Sequence, residues 1–324
     1  MKKTLITNGT VIRDGAAVRS NLLIGGGLIL SWDEKQGIPE DTEIFDAQGG
    51  YVLPAFIETH AHGGGGSSFI DCTPESYDTI MRTHLSHGVT LLTPTLPSSS
   101  WNKVQEFLKL ASEHESFMFG GVHLEGPFLS RDMCGAQNTS CILPPTDEQI
   151  AELCDYAPIL SCITAAPEVD NVMNLARQMV SRGVAMSIGH SSCGAVTVSK
   201  AADAGFSRMT HLYCATTRRY KEGSYVVGGQ EETVLTDDRF TVELIGDGHH
   251  ICRESILMTT RCKGVDGVCL VSDAMRAAGL EGGDGESYLG EIKPENRVIL
   301  EDGVAKLPDR SSFAGSLATG DTMV

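Results

Sequence analysis

Two histidines one residue apart stand at the end of an apolar segment, in IETHAHGGGG at residues 57–66. Side chains at positions i and i+2 of a β-strand point to the same face, so His60 and His62 would project side by side where the strand ends. Paired imidazoles are suited to bind a transition-metal ion. The spacing therefore predicts a metal site whose other ligands come from the ends of other strands.

The segments that must position these ligands alternate between apolar, β-branched runs and helical runs from residue 53 onward, which is typical of parallel βα repeats. Eight strand candidates in this order predict a (β/α)8 barrel of the TIM type. The strand candidates are LPAFIETHA, GVTLLTPTL, FGGVHLEG, SCITAAPE, GVAMSIGH, FSRMTHLY, FTVELIGDG and GVCLVSDAM. Helices are predicted at 74–88, 101–114, 169–183 and 252–264, whereas 218–237 is predicted to be more loop than helix.

The first 52 residues have a different pattern, with short strand candidates separated by Gly, Asn and Asp and without a helical period. They predict a small β-sandwich-like domain at 1–52, followed by the barrel at 53–324. The chain stops soon after the eighth strand candidate. We therefore expect the barrel to be truncated at its C-terminus, without its closing helix, and the β domain to be incomplete, with unpaired edges.

Polar residues stand at the carboxyl ends of the strand candidates, where barrels of this type build their active sites. Besides the two histidines, Glu125 ends the third strand, His190 the fifth, His211 the sixth and Asp273 the eighth. Each of them alone has an ordinary structural explanation as a hydrogen-bonded, paired or helix-capping residue. Together they predict one centre for one or two divalent ions, for which Zn²⁺ or Fe²⁺ suits imidazole and carboxylate ligands best.

The chemistry of such a centre is hydrolysis. A zinc-type ion lowers the pKa of bound water from about 15.7 to about 7 and polarises a carbonyl oxygen. Asp273 is placed to take the proton from that water and to pass it to a leaving amine, so it is the candidate catalytic acid and base. The predicted substrates are amides, esters or related bonds.

The composition argues against several other classes of function. The formal net charge is −17, which repels nucleic acid and anionic membranes. The sequence contains no apolar stretch long enough to span a bilayer, and its N-terminus lacks the hydrophobic region of a secretory signal. We therefore expect a cytoplasmic protein with no nucleic-acid or membrane partner, whose 10 scattered cysteines stay reduced.

Seven segments of the chain resemble the N-acetylglucosamine-6-phosphate deacetylases of the amidohydrolase superfamily, in this order: PAFIETHAHGGGG, GVHLEGPF, SIGHSS, THLY, GDGHH, LVSDAM and FAGS. The resemblance covers nearly the whole chain. It implies release of acetate from N-acetylglucosamine 6-phosphate, giving glucosamine 6-phosphate, with Asp273 as the acid and base. The metal ligands that it implies are Glu125, His190 and His211, with His60 and His62 binding a second ion in some members.

The resemblance also implies substrate contacts and a homodimer. In the family a histidine of the DGHH segment and an arginine after the sixth strand contact the sugar and its phosphate, partly across the dimer interface. From the residues alone, the cationic segment TTRRYKEG could neutralise a phosphate or form a solvated loop. The candidate substrate-binding residues are Gln137, Cys214, Ala215, Arg218, Arg219, His250, Phe313, Ala314 and Gly315.

Two departures from the family pattern leave the exact substrate open. Gln137 stands where many members have a histidine, and Cys214 stands where most have an asparagine. The epimer N-acetylgalactosamine 6-phosphate therefore remains an alternative substrate.

Two further alternatives differ in the kind of function. A cyclic amidohydrolase or deaminase is disfavoured because the fourth strand ends near Glu168 and offers no lysine to bridge two metals. A catalytically impaired or truncated homologue could act only as a binding or assembly module. The presence of Asp273 favours catalysis over that alternative.

Overall fold

The computed structural model describes residues 2–33, 40–282 and 284–323. It divides into two compact units, Met1–Ala55 and Phe56–Val324. The sequence analysis placed this boundary between residues 52 and 53.

The described residues of the first unit form one five-stranded sheet. An antiparallel hairpin joins the first two strands through Asp14 and Gly15, which both have positive φ, as the tight turn of a hairpin requires. The first strand also pairs in parallel with the fourth and the fifth. The strands are β1 (Lys3–Arg13), β2 (Ala16–Gly25), β3 (Leu28–Trp32), β4 (Thr42–Asp46) and β5 (Tyr51–Val52).

The second unit alternates strands and helices. Its strands are β6 (Phe56–Ala61), β7 (Gly63–Gly64), β8 (Ser67–Ser68), β9 (Val89–Leu96), β10 (Val122–Glu125), β11 (Leu160–Ala165), β12 (Ala185–Ile188), β13 (Phe206–Met209), β14 (Tyr220–Glu222), β15 (Tyr225–Val227), β16 (Thr241–Ile245), β17 (Val268–Val271), β18 (Gly285–Tyr288), β19 (Arg297–Glu301) and β20 (Val304–Lys306). Its α-helices are α1 (Pro74–Ser86), α2 (Trp101–Glu113), α3 (Asp147–Asp155), α4 (Val172–Val180), α5 (Ala195–Asp203), α6 (Gln230–Thr236) and α7 (Arg253–Lys263).

Eight parallel strands of this unit form one sheet in the order β17-β16-β13-β12-β11-β10-β9-β6. The edge strand β6 meets the segment that follows the other edge strand, β17, through a parallel bridge between Ala61 and Ala274. The backbone N–H of Asp273 also donates to the carbonyl of His60 at 2.9 Å. The predicted (β/α)8 barrel is therefore confirmed, and each of the eight predicted strand segments overlaps one barrel strand.

The predicted helices also match the structure, with ends shifted by a few residues. Helix α1 begins at Pro74 behind a capping box in which the N–H of Ser76 donates to the hydroxyl of Thr73 at 3.1 Å. The segment 218–237, predicted to be more loop than helix, has more regular structure than expected. That segment contains the hairpin β14–β15 and the helix α6, which is too short to show a clear helical period.

The barrel core is made of apolar side chains from strands and helices. Val122, Met186 and Phe206 from the strands are fully buried or nearly so, as are Phe107 of α2 and Leu175 of α4. After β17 the chain forms the antiparallel sheet β18–β19–β20 and then a 3₁₀ turn at Gly320–Thr322. The described part of the chain contains no helix that is long and apolar enough to span a membrane.

Candidate metal centre and substrate pocket

The six residues predicted as metal ligands or acid–base group meet at one end of the barrel. His60 lies in β6 and His62 just beyond it, and Glu125 is the last residue of β10. The other three, His190, His211 and Asp273, each follow the end of their strand by two residues, and all six side chains are buried. The carboxyl ends of parallel barrel strands lie on the same face, which is why residues so distant in sequence converge.

The six side chains form two groups, each with its ligand atoms within 4.8 Å of one another. We call Glu125, His190 and His211 the Glu125 group, and His60, His62 and Asp273 the His60 group.

Glu125 connects the two groups. Its Oε1 lies 2.8 Å from Nε2 of His211 and 3.0 Å from Nε2 of His190, while its Oε2 lies 3.3 Å from Nε2 of His62. Asp273 Oδ1 lies 3.2 Å from the same His62 nitrogen. One carboxylate therefore presents an oxygen to each group, as a ligand that bridges two ions would.

Three of these residues have an unusual backbone conformation. The φ angles are 48° at His190, 28° at His211 and 49° at Asp273, in the left-handed region that side chains with a Cβ rarely adopt. Such strain persists where surrounding contacts over-determine the conformation, and it concentrates at functional sites. Here each residue turns the chain sharply at the end of its strand.

Hydrogen bonds fix the orientation of three imidazoles. Nδ1–H donates to Glu243 Oε2 at 3.1 Å in His60, to the carbonyl of Thr95 at 3.2 Å in His62, and to the carbonyl of Met133 at 3.1 Å in His190. With the proton on Nδ1, each ring turns the lone pair of its Nε2 towards the carboxylates.

The residues fit a divalent cation. Lone pairs and carboxylate oxygens at about 3 Å repel each other unless positive charge lies between them. In addition, Nε2 of His60 is buried and has no hydrogen-bond partner. A cation bound by imidazole nitrogens and carboxylate oxygens would satisfy these atoms, and this mixed donor set is the one that zinc-type ions prefer.

The pKa shifts point to the same demand for positive charge. Burial lowers the pKa of His62, but hydrogen bonds with Asp273 and Glu125 outweigh it and raise that pKa to about 10. Burial is likewise outweighed at His211, where Glu125 raises the pKa to about 9. At Glu125 itself burial raises the pKa, yet His190 and the other imidazoles hold it well below its usual range.

Two buried glutamates that the sequence analysis did not identify support the centre. Glu243 in β16 accepts from His60 and, at 3.4 Å, from the backbone N–H of His211, so it contacts both groups. Glu58 in β6 accepts from the N–H groups of His60 and Ser272 at 2.8 and 2.9 Å, and burial raises its pKa to about 7. The signal that could have revealed them is an acidic residue inside an apolar strand segment.

The metal centre opens into a cavity of about 730 Å³. All members of the two groups except His60 line it. The predicted substrate-binding residues that also line it are Gln137, Cys214, Ala215, His250, Phe313 and Gly315.

Gln137 has a more specific place than the sequence suggested. Its Nε2 donates to Glu125 Oε2 at 2.5 Å, and its Oε1 accepts from the backbone N–H of Ser98 at 2.7 Å. Both ends of the amide are therefore engaged by the protein. The contact that the structure shows for Gln137 is with the bridging carboxylate.

Three other predicted residues lie outside the cavity. Arg218 is exposed and its Nε donates to Glu231 at 3.4 Å, while the backbone N–H of Arg219 donates to Glu232 at 3.3 Å. Ala314 is buried, and its N–H donates to the carbonyl of Ala305. The structure does not bring the side chains of the two arginines into the pocket of their own chain.

His250 lies in the pocket wall beside an aromatic ring. Its Nδ1–H donates to Asp247 Oδ2 at 2.6 Å, and its ring centroid lies 4.7 Å from that of Phe313. Burial raises the pKa of Asp247, but hydrogen bonds and charge from His250 lower it overall. The pair holds the imidazole in a fixed position at the edge of the cavity.

Comparison with known proteins finds close relatives over most of the chain. An N-acetylglucosamine-6-phosphate deacetylase of Bacillus subtilis is 31% identical over 290 aligned residues, covering 84% of this chain and 72% of the relative. The Bos taurus protein of the same name is 31% identical over 339 aligned residues, covering 98% of this chain and 79% of the relative. No protein-family model matches the chain.

Solved structures with the same name share the fold. The Pasteurella multocida deacetylase has a TM-score of 0.87 at 25% identity, covering 98% of this chain and 82% of that one. A mutant of the Mycobacterium smegmatis deacetylase, solved in complex with N-acetyl-D-glucosamine-6-phosphate, has a TM-score of 0.86 at 28% identity. It covers 100% of this chain and 82% of that one.

Proposed function

Because the chain belongs to the N-acetylglucosamine-6-phosphate deacetylase family, we propose that it is a hydrolase that splits N-acetylglucosamine 6-phosphate into glucosamine 6-phosphate and acetate. The observation that carries the proposal is the position of Glu125, whose two oxygens face the Nε2 atoms of three histidines at the mouth of the cavity. This is a ligand set for metal-assisted amide hydrolysis.

The metal ligands are assigned by group. Glu125, His190 and His211 would hold one ion, and His60, His62 and Asp273 would hold a second. The imidazole-rich donor set favours Zn²⁺ or Fe²⁺. When bound, such an ion supplies a Lewis acid for the acetyl carbonyl and a nucleophile at neutral pH.

Asp273 carries the proton. Its carboxylate lies in the cavity wall, and the imidazoles of His62 and His60 outweigh burial and lower its pKa, so it is ionised and ready to accept a proton. The proton then passes to the amine nitrogen as the amide C–N bond breaks. The sugar is surrounded by residues of the cavity wall, namely His250, Phe313, Gly315, Cys214 and Ala215.

The remaining proposals concern the cellular location and the oligomeric state of the protein. We place the protein in the cytoplasm as an enzyme of amino-sugar catabolism, without a nucleic-acid or membrane partner, in keeping with its net charge of −17. We also propose a homodimer. In such a dimer Arg218 and Arg219, which lie outside the pocket of their own chain, could meet only the phosphate bound to the other protomer.

Acetate release is the direct test. The zinc- or iron-loaded protein should release acetate from N-acetylglucosamine 6-phosphate, and Asp273→Asn should lower kcat by at least about a hundredfold because the proton carrier is lost. N-acetylgalactosamine 6-phosphate should react more slowly. Folded, metal-loaded protein that releases no acetate from either sugar would contradict the proposal and favour a binding or assembly module.

A further inference from the structure

The backbone that carries Asp273 bends sharply at residues 272–275, which we call the Asp273 turn. The strand β17 ends at Val271, and two residues later the φ of Asp273 is 49°. A side chain with a Cβ rarely adopts this left-handed conformation, so neighbouring contacts must impose it. Those contacts decide where the carboxylate of Asp273 points.

The strand β6 holds one side of the Asp273 turn. The backbone N–H of Asp273 donates to the carbonyl of His60 at 2.9 Å. Glu58 accepts from the N–H of His60 at 2.8 Å with its Oε1, and from the N–H of Ser272 at 2.9 Å with its Oε2. One buried carboxylate therefore connects β6 to the first residue of the turn.

Ser316 holds the other side of the turn. This residue is fully buried and forms a parallel bridge with Ala274. Its N–H donates to the carbonyl of Asp273 at 2.9 Å, and its carbonyl accepts from the N–H of Met275 at 2.9 Å. Its hydroxyl donates to the carbonyl of Ser272 at 2.6 Å. The backbone and the side chain of this single residue thus bond to the turn before, at and after the left-handed position.

The hydroxyl of Ser316 makes a contact that the backbone alone could not make. Any residue except proline could supply the two backbone bonds, whereas the bond to Ser272 needs a side-chain donor. The same hydroxyl oxygen accepts from the N–H of Ala318 at 3.0 Å, which fixes the segment that carries Ser316. Gly315, with a φ of 72°, lets this segment approach closely, because a Cβ there would lie 3.1 Å from the Cβ of Met275.

We propose that Ser316 is a positioning residue that holds the left-handed turn and thereby aims the carboxylate of Asp273 at the metal centre. The assignment rests on the proposed function, in which Asp273 carries the proton. Ser316 is not among the described residues that line the cavity, so it acts through the backbone of Asp273 and not by contact with substrate. Loss of its hydroxyl should therefore slow the chemical step and leave substrate binding nearly unchanged.

The kinetic test uses two variants of the metal-loaded protein. Ser316→Ala leaves the buried carbonyl of Ser272 without its side-chain donor. It should lower kcat for N-acetylglucosamine 6-phosphate about 10- to 100-fold, since a displacement of about 1 Å can cost about a hundredfold in rate. KM should change less than about threefold. Ser316→Cys, which keeps the shape and a weak donor, should have a kcat between those of the parent and Ser316→Ala. A kcat equal to that of the parent in Ser316→Cys and in folded Ser316→Ala would overturn the role.

The matched control is Ser161→Ala. Ser161 lies near the start of β11, at the end of that strand away from the metal centre, and its hydroxyl donates to the backbone carbonyl of Val122 at 3.0 Å. The variant loses the same kind of bond without touching the Asp273 turn, so kcat and KM should stay as in the parent. Equal losses of kcat in Ser161→Ala and Ser316→Ala would contradict a specific role of Ser316.

A double variant shows whether the effect passes through Asp273. If Ser316 acts only by placing that carboxylate, Ser316→Ala should cause no further loss of kcat in an Asp273→Asn background. Independent effects would multiply, so a further loss of about tenfold or more would show a general structural role and overturn the proposal.

A zinc titration separates failure of this role from failure of the proposed function. Asp273 belongs to the His60 group, so Ser316→Ala should weaken binding of the second ion about tenfold and leave the affinity of the Glu125 group unchanged. If the parent releases no acetate but Ser316→Ala shows this selective loss, the deacetylase proposal fails and the positioning role stands. If the parent releases acetate and Ser316→Ala has the kcat and the zinc affinities of the parent, the positioning role fails and the deacetylase stands.

Discussion

Glu243 is a second carboxylate, besides Glu125, that contacts both ligand groups. Its Oε2 accepts from the ring of His60 and from the backbone N–H of His211, so a single carboxylate orients one proposed ligand and steadies the left-handed backbone of another. Carboxylates that orient metal-binding imidazoles are a common feature of zinc sites.

We expect Glu243→Gln to weaken metal binding at the His60 group. The amide can present its NH₂ group to Nδ1 of His60, which would move the ring proton to Nε2 and remove the ligand lone pair. Affinity for the second ion should fall about 10- to 100-fold, measured by zinc titration and elemental analysis. Glu231→Gln is the control, because Glu231 is a largely buried glutamate that contacts Thr216 and Arg218 instead. If both variants bound as many zinc ions as the parent, with the same affinity, Glu243 would not be needed to orient His60.

The two hydrogen bonds of Gln137 indicate a role in orienting a metal ligand rather than in binding substrate. The sequence suggested a substrate contact, whereas its amide bridges the backbone N–H of Ser98 and the Oε2 of Glu125. That oxygen is the one that faces His62. Substituting a residue that orients the Glu125 carboxylate should therefore change the affinity for metal more directly than the affinity for the sugar.

Gln137→Ala should therefore lower the affinity for metal about tenfold or more, because Glu125 loses the donor that fixes its orientation. The readout is the number of ions retained during dialysis against a weak chelator. The neighbouring variant Asn138→Ala, which removes a helix-capping side chain, should retain metal as the parent does. A raised KM with full metal content would instead indicate that Gln137 contacts the substrate.

At the scale of secondary structure, the loop after β12 shows how a ligand is held beyond the end of its strand. Glu168, which follows β11, accepts from the hydroxyl of Ser191 at 2.7 Å and from the N–H of Ser192 at 2.6 Å. These contacts anchor the residues directly after His190, whose backbone is left-handed. Two strand ends are thus joined by one side chain.

Removing that anchor should cost stability. Glu168→Ala leaves the donors of Ser191 and Ser192 without their charged acceptor, and we expect a loss of about 1–3 kcal/mol in the free energy of unfolding. Chemical denaturation of the metal-loaded protein measures it. Asp155→Ala, at an exposed position at the end of α3, should change stability by less than about 0.5 kcal/mol. Equal stability of the two variants would show that the loop does not depend on Glu168.

At the scale of the whole molecule, the metal centre connects strands from both edges and the middle of the barrel sheet. The proposed ligands come from β6, β10 and the residues after β12, β13 and β17. Binding a cation there links segments that are far apart in sequence. Metal that binds the folded state and not the unfolded chain should stabilise the barrel.

A chelator should accordingly lower the Tm, and added Zn²⁺ should restore it. Zinc at a hundred times its Kd would contribute about 2.7 kcal/mol. Differential scanning calorimetry with EDTA, with Zn²⁺ and with Mg²⁺ measures the effect, and Mg²⁺ should give little recovery because it prefers oxygen ligands. If Zn²⁺ and EDTA give the same Tm, the six buried groups do not form a metal site.

Much of the fold and of the centre could be predicted from the sequence because both rest on local patterns. The run from Val89 to Leu96 is built of apolar and β-branched residues, and the alternation of such runs with helices predicts a parallel barrel. Once a barrel is predicted, polar residues at strand ends such as Glu125 and Asp273 must meet, since parallel strands share one carboxyl edge. The family resemblance carried by the same segments is confirmed by the relatives.

What only the tertiary structure decided are contacts between side chains from distant segments. The bond of Gln137 to Glu125 and the approach of Glu243 to His60 depend on loop paths and strand stagger, which no periodicity in the sequence encodes. The same holds for cations: TTRRYKEG is the more basic segment, but the fold leaves Arg218 and Arg219 outside the cavity and puts Lys306 and Arg310 in its wall. The sequence shows where charged residues stand along the chain, but only the packing of the folded chain decides which of them line the cavity.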